Sequence, residues 1–446
     1  LRNKPAYNLF TILAFIVILC PLPSSIYAET FVNGNITQNT TWTLAGSPYI
    51  VTGDITVKRS VWSYHTNPVA VKLTIEPGVQ IRFNPGSGLI VGQGLQSNGG
   101  YYGALSVQGT AESPVTFTSN AASPAPGDWK GIYFSSKTLY EATLLEHCIV
   151  EYGGHTHNAN MYFSSANPSI KSSTIRFSSS DGIYLSSSSP AIDSNTITDN
   201  TNYGISSNSN SAGLITNNTF SGNGQAPINI HPNAAGSVSG NSGFANGQDV
   251  IRIYGGELTA NSTWVEQELP FFITGDITVN RSVWSYHTNP VAVKLTIEPG
   301  VQIRFNPGSG LIVGQGLQSN GGYYGALSVQ GTAESPVTFT SNAASPAPGD
   351  WKGIYFSSKT HYAATLLEHC IVEYGGHTNN ANIYLANAKP TIQYNTIRNS
   401  SHSGIYVNGD GSNGASIRCN NLKDLSLIHI SEPTRPTATS RMPSSA

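Results

Sequence analysis

Charge is scarce in this chain. Only 10% of its 446 residues are Asp, Glu, Lys or Arg, and the formal net charge is −2. That leaves no basic footprint for nucleic acid and no acidic tail. Cysteine is rarer still, at four residues. Cys20 lies in an apolar leader, so Cys148, Cys370 and Cys419 remain. An odd number in an exported chain excludes a complete disulfide framework, and buried free thiols acting as small hydrophobes are expected. Past the leader there is no sustained apolar 3.6-residue period, which argues against helices.

What is present is order of another kind. Hydrophobic residues make up 39% of the chain, and Ile, Val, Leu and Tyr recur at regular spacing among Gly, Ser, Asn and Thr, which argues against disorder. The segment Gly127–Gly154, GDWKGIYFSSKTLYEATLLEHCIVEYGG, returns at Gly349–Gly376 with an offset of 222 residues. From Arg59 through Thr138 the match to Arg281 through Thr360 is identical, whereas Leu139, Glu141 and His157 become His361, Ala363 and Asn379. Such identity indicates a recent tandem duplication or, with adapter-like sequence at the far end, an assembly error.

A shorter period runs inside each long unit. Pro168–Ile175 aligns with Pro190–Ile197, and Leu214–Phe220 and Val238–Phe244 continue the series. The shared turn position is Cys148, Ser173, Asn195, Asn218 and Asn241 in the first unit, then Cys370, Asn395 and Asn420 in the second. Ser173 to Asn241 fall at spacings of 22, 23 and 23 residues. Each strand is short, β-branched and bounded by turn formers. One turn of this length cannot bury its own apolar side, but stacked turns can. Equivalent residues then lie above one another, Ile over Ile in the core and Asn over Asn as an amide ladder. Asn also tolerates the left-handed backbone of a sharp bend.

The two ends read differently. Leu1–Ala28 has the form of a secretory signal peptide: Arg2 and Lys4, an apolar run Leu9–Leu22, then a small-residue cleavage site. The run is short of the ~20 residues of a membrane span. The expectation is a secreted or cell-surface protein with no span in its mature chain. Leu425–Arg435, LSLIHISEPTR, can be encoded by DNA resembling a sequencing adapter, so residues 425–446 are set aside and the gene is expected to be cut after about Asp424. The organisation expected is residues 1–28 leader, 29–252 first unit, 253–424 second unit and 425–446 adapter.

The motifs GDWKGIYF, LEHCIVEYGG, PTIQYNTIRNSSHSGIYV and IRCNNL resemble those of secreted bacterial right-handed parallel β-helix repeat proteins, within the pectate-lyase-like superfamily. The resemblance covers about Thr30–Asp424 and implies an all-β, right-handed parallel β-helix of two tandem units. It also implies polysaccharide lyases and hydrolases as relatives. Those enzymes need a base beside a neutralised carboxylate, or clustered aspartates. No Asp-Asp pair and no Gly-His-Gly motif occurs. No catalytic residue, metal or cofactor is therefore assigned.

Two candidate groups remain. The polar one is Asp128, Lys130, Glu146, His147, Glu151 and His155, whose plainer reading is solvated surface, with Asp128 capping a turn. The aromatic one is Trp62, Tyr64, Tyr101, Tyr102 and Trp129, repeated as Trp284, Tyr286, Tyr323, Tyr324 and Trp351; exposed rings stack on sugar faces. The plainer reading is that they pack loops on the solenoid flank. Two copies could act together on one polymer by avidity. The function expected is non-enzymatic adhesion or binding of extracellular polysaccharide or cell-surface glycan. The alternatives are a polysaccharide lyase or hydrolase, by fold analogy, and a spacer for a further domain.

Overall fold

The computed structural model describes residues 28–425, except 65–67, 95–98, 287–290, 317–320 and 410–413. The leader, apart from Ala28, and the adapter-like end, apart from Leu425, lie outside the described residues. Among the described residues no helix is long and apolar enough to cross a membrane.

The chain is an all-β solenoid of short strands paired in parallel from coil to coil. In the first unit three faces recur. Gln80–Phe83, Val115–Ser119, Cys148–Glu151 and Thr174–Arg176 stack on the first face. Leu89–Val91, Ile132–Phe134, Ala159–Ser164 and Asp181–Ser186 stack on the second. The third is an eight-stranded sheet that includes Val71–Ile75, Gly103–Gln108 and Leu144–Glu146. Strand Tyr49–Val57 joins the first two faces, pairing with Gln80–Phe83 through its start and Leu89–Val91 through its end.

Alternation within each strand decides which side chains meet. Ile81, Phe117, Val150, Ile175, Ile197 and Phe220 point inward in register and are buried. Their neighbours point to the outer side, where most are partly exposed and Thr118 and Glu151 bury each other. Burial of this apolar interior is the main stabilisation, at about 25 cal/mol per Å². Gly131 permits the tight approach that opens the GIYF strand. Its φ is +93°, and a β-carbon there would lie 2.6 Å from the carbonyl oxygen of Ala159.

The polar turn position forms a hydrogen-bonded ladder, as its spacing predicts. The backbone N–H of Ser173 donates to Asn195 Oδ1 at 3.0 Å, that of Asn195 to Asn218 Oδ1 at 2.9 Å, and that of Asn218 to Asn241 Oδ1 at 3.0 Å. Cys148 N–H donates to Ser173 Oγ at 3.0 Å, and Cys370 N–H to Asn395 Oδ1 at 2.7 Å. Asn395 N–H continues to Asn420 Oδ1 at 3.0 Å. A second ladder, not expected from the spacing, links Ser178, Asn200, Asn223 and Asn246. The left-handed bend falls one residue before the ladder, at His147, Ser172, Ser194 and Asn217. The ladder Asn is thus held for its amide, not for its backbone tolerance.

Cys148 and Cys370 are buried free thiols, and burial pushes Cys148 up to about 12. Cys419 departs from expectation. It is exposed, because it occupies the left-handed position just before Asn420.

The two units share a strand. The boundary between residues 252 and 253 falls inside Ile251–Ile253, which pairs with Ile228–Ile230 on one side and Phe271–Ile273 on the other. Phe271–Ile273 then pairs with Gln302–Phe305. Gln302–Phe305 is the 222-residue equivalent of Gln80–Phe83, a first-face strand. The second face of unit one therefore continues as the first face of unit two. The remaining faces of unit two start as separate six-stranded sheets, one at Gly256–Leu258 and one at Ser262–Trp264. Repetition of sequence is here accompanied by a change of face.

The ladder predicts a stability result. Asn218→Ala strands the buried N–H groups of Asn195 and should cost about 1–3 kcal/mol per stranded group, read as a lower denaturant midpoint. Asn217→Gly, at the preceding left-handed position, should shift the midpoint far less, since Gly accepts that backbone freely. Equal shifts would remove the ladder from its structural role.

Candidate functional site

The six polar candidates do not converge. Asp128 accepts from Ser119 Oγ at 2.5 Å and from the Ala125 N–H at 2.9 Å, so it caps the turn. Lys130 pairs with Asp54 at 2.7 Å, and Glu146 with Lys171 at 2.9 Å. Glu151 is buried, accepting from Thr118 Oγ1 at 2.8 Å and Arg176 Nε at 2.7 Å. His147 uses its backbone, taking a 3.2 Å hydrogen bond from Val115 N–H, and His155 is exposed. The side chains of Asp128, Lys130, Glu146 and Glu151 thus each engage a different neighbour. Among the described residues no cluster of three or more His, Cys, Asp or Glu is placed to hold a metal ion.

The aromatic candidates divide. Trp129 and Trp351 are not surface platforms: both are fully buried. The strand starts only at Ile132, so Trp129 lies in the turn before it with its ring directed inward. It stacks on Phe83 at 4.0 Å and donates its indole N–H to the Glu151 carbonyl at 2.8 Å. Trp351 repeats this against Phe305 and Glu373. Tyr102 and Tyr324 are also buried, each 2% exposed, beneath Lys137 and Lys359. They close the hairpin excursion, and the Tyr102 carbonyl accepts from the N–H groups of both Arg59 and Val71.

The others are accessible. Tyr64 is 67% exposed and Tyr286 66%. Each packs edge-on against its partner tryptophan, Trp62 or Trp284, at 4.6 Å. These pairs ride on small antiparallel ribbons, Ser63–Tyr64 with Gly99–Gly100 and Ser285–Tyr286 with Gly321–Gly322. Tyr101 is half-buried and Tyr323 exposed, each bridged to a glutamine, Gln93 or Gln315.

In the first unit the ribbon stands over the second face and encloses a groove of about 740 Å³. Trp62, Ile90, Tyr101 and Tyr133 form its apolar wall, and Gln93, Ser135, Ser136, His157 and Ser164 supply polar groups. Among the described lining residues there is no Asp, Glu, Lys or Arg. Tyr133 heads an outward row with Tyr162 and Tyr184, the rings stacked at 5.5 and 5.1 Å. His157 lies 4.7 Å from Tyr133 and 5.2 Å from Tyr162. Burial, with Lys130 nearby, lowers its pKa, which favours neutral imidazole. Because the tyrosines cover one another's faces, the row presents ring edges and phenol hydroxyls. A groove of this size, mostly apolar with a few polar groups, has the build of a small-ligand site.

The description "Right handed beta helix region" matches residues 157–283. The description "Pectate-lyase like beta helix domain" matches residues 34–163 and 273–417, more than half of the chain. The chain belongs to the pectate-lyase-like β-helix family. No curated protein and no solved structure matches it. Within this β-helix the first-unit groove is the candidate site, and sequence reasoning reached only part of it. Trp62 and Tyr101 are among the candidates the sequence offers, His157 enters there only as a difference between the copies, and Tyr133, Tyr162, Ser135 and Gln93 are not candidates. The available signal was the recurring Ile/Met-Tyr pair of the second-face strands, which sets a tyrosine outward on successive coils.

The copies differ at this groove despite the identity between them. His157 and Ser164 become Asn379 and Ala386. Lys58, hydrogen-bonded to the lining residue Gln93, becomes Asn280.

Near the far end of the tyrosine row lies a buried carboxylate. Asp181 accepts from Ser206 Oγ and from the Tyr203 N–H at 3.2 Å. Burial pushes it up to about 6, against the pull of those hydrogen bonds. Above that pH the native state holds an ionised carboxylate out of water. The cost disappears as the pH falls through 6 toward the unfolded value of 3.8. Asp181→Asn should therefore be more stable than the parent at pH 7.5, by on the order of 2 kcal/mol. Its advantage should shrink steadily toward pH 4. Denaturant midpoints for both chains across that range check this, and a pH-independent difference would contradict it.

Proposed function

We propose that the protein is an exported, non-catalytic glycan-binding β-helix whose first-unit groove holds part of an uncharged polysaccharide chain. The observation that carries this is the lining. Aromatic rings on two sides offer apolar area for sugar rings, and hydroxyl, amide and imidazole groups between them suit sugar hydroxyls. The described lining itself is uncharged, which favours neutral sugars, while Lys58, bonded to Gln93 and 5.6 Å over the Tyr101 ring, puts one cation at the rim. Binding is favoured over hydrolysis by the same chemistry, since the lining offers neutral donors and acceptors and not a pair of carboxylates. The export expectation rests on the leader.

The test is retention on immobilised neutral polymers, xylan and cellulose, beside alginate and pectin at the same ionic strength. Xylan or cellulose should retain the protein without releasing reducing ends. Trp62→Ala and Tyr133→Ala should each weaken retention about three- to tenfold, the range expected for one aromatic contact, with the melting temperature held. Release of reducing ends or unsaturated products would instead make the protein an enzyme. Retention on the acidic polymers alone would overturn the neutral-sugar reading.

A further inference from the structure

The 222-residue duplication places two copies of the tyrosine row on one molecule. The first is Tyr133, Tyr162 and Tyr184, and the second is Tyr355, Tyr384 and Tyr406, stacked at 5.4 and 5.2 Å. The shared strand Ile251–Ile253 decides how they stand to each other. In the first unit, Ile90, Tyr133, Tyr162 and Tyr184 occupy one outward column. In register, that column continues through Ser206, Asn229, Arg252, Phe272 and Arg304. It never reaches Tyr355. The second tyrosine row lies on a separate six-stranded sheet that begins at Gly256–Leu258.

Beyond Tyr184 the column is not an open track, since Ser206 and Phe272 are buried, and where it surfaces at Arg252 and Arg304 it meets no tyrosine of the second row. The avidity expected from duplication requires both copies to meet one chain, and the change of face denies a chain that straight path. Resting on the glycan reading above, we propose that the two copies hold two separate polysaccharide chains, so that one molecule bridges them. The copy differences at Lys58, His157 and Ser164 make the two sites unequal in affinity.

The experiment pairs xylohexaose with soluble xylan. Calorimetry should find two hexasaccharides per chain with different affinities. Adding protein to xylan should raise light scattering steeply near one protein per two chains, and excess xylohexaose should abolish the rise. Tyr133→Ala/Tyr162→Ala and Tyr355→Ala/Tyr384→Ala should each bind one hexasaccharide and lose the scattering rise. Circular dichroism melts matching the parent show that each variant is folded. Two hexasaccharides bound with no scattering rise, and xylan held 100-fold more tightly than the hexasaccharide, would overturn the bridge in favour of avidity on one chain while leaving glycan binding intact. No hexasaccharide bound at all would overturn the glycan reading, and the bridge with it.

Discussion

A coil of this solenoid has too little apolar surface to stand alone, so each buries its inward side chains only against the coils above and below. That demand fixes the rest. Once Ile stands over Ile, every polar group at a turn is carried inward at the same height as its equivalents, and a buried N–H without an acceptor costs about 1–3 kcal/mol. The Asn195–Asn218–Asn241 and Asn200–Asn223–Asn246 ladders meet that cost coil by coil, each amide oxygen taking the N–H of the coil before. The left-handed residues beside them make the turn, and the amides hold it closed.

The same vertical register builds the surface. A residue that points outward on one coil is joined by its equivalent roughly 4.8 Å away on the next. Three tyrosines so placed become one row, and a small antiparallel ribbon laid over the row's head becomes the second wall of a groove. A site thus arises from side chains that are far apart in sequence and that no local motif announces. In the polar group the register works the other way. Glu146 and Glu151 find partners on the next coil, at Lys171 and Arg176, Lys130 reaches two coils back to Asp54, and all three are spent on the stack.

The junction shows how little a repeat of sequence says about orientation. A solenoid strand requires only a parallel partner in register, and Ile251–Ile253 satisfies that condition with a second-face strand before it and a first-face equivalent after it. Nothing in the pairing energy demands that identical faces continue. The second unit can therefore be the first in sequence and differ from it in direction, and duplication adds a new face in place of lengthening an old one.

The sequence by itself determined the solenoid, the stacking period and the first polar ladder, because these follow from strand-length apolar runs recurring every 22 or 23 residues between turn formers. It also pointed to Trp62 and Tyr101 as surface aromatics. It could not tell them from Trp129 and Tyr102, since which way a ring turns at a bend depends on the coil packed against it. Trp129 goes inward because Phe83 and the Glu151 carbonyl lie there to receive it. The tertiary structure alone decided the groove, the second ladder, the burial of Asp181 and the change of face at the junction. Each of these depends on contacts between coils, and such contacts are set by register in space and not by neighbours along the chain.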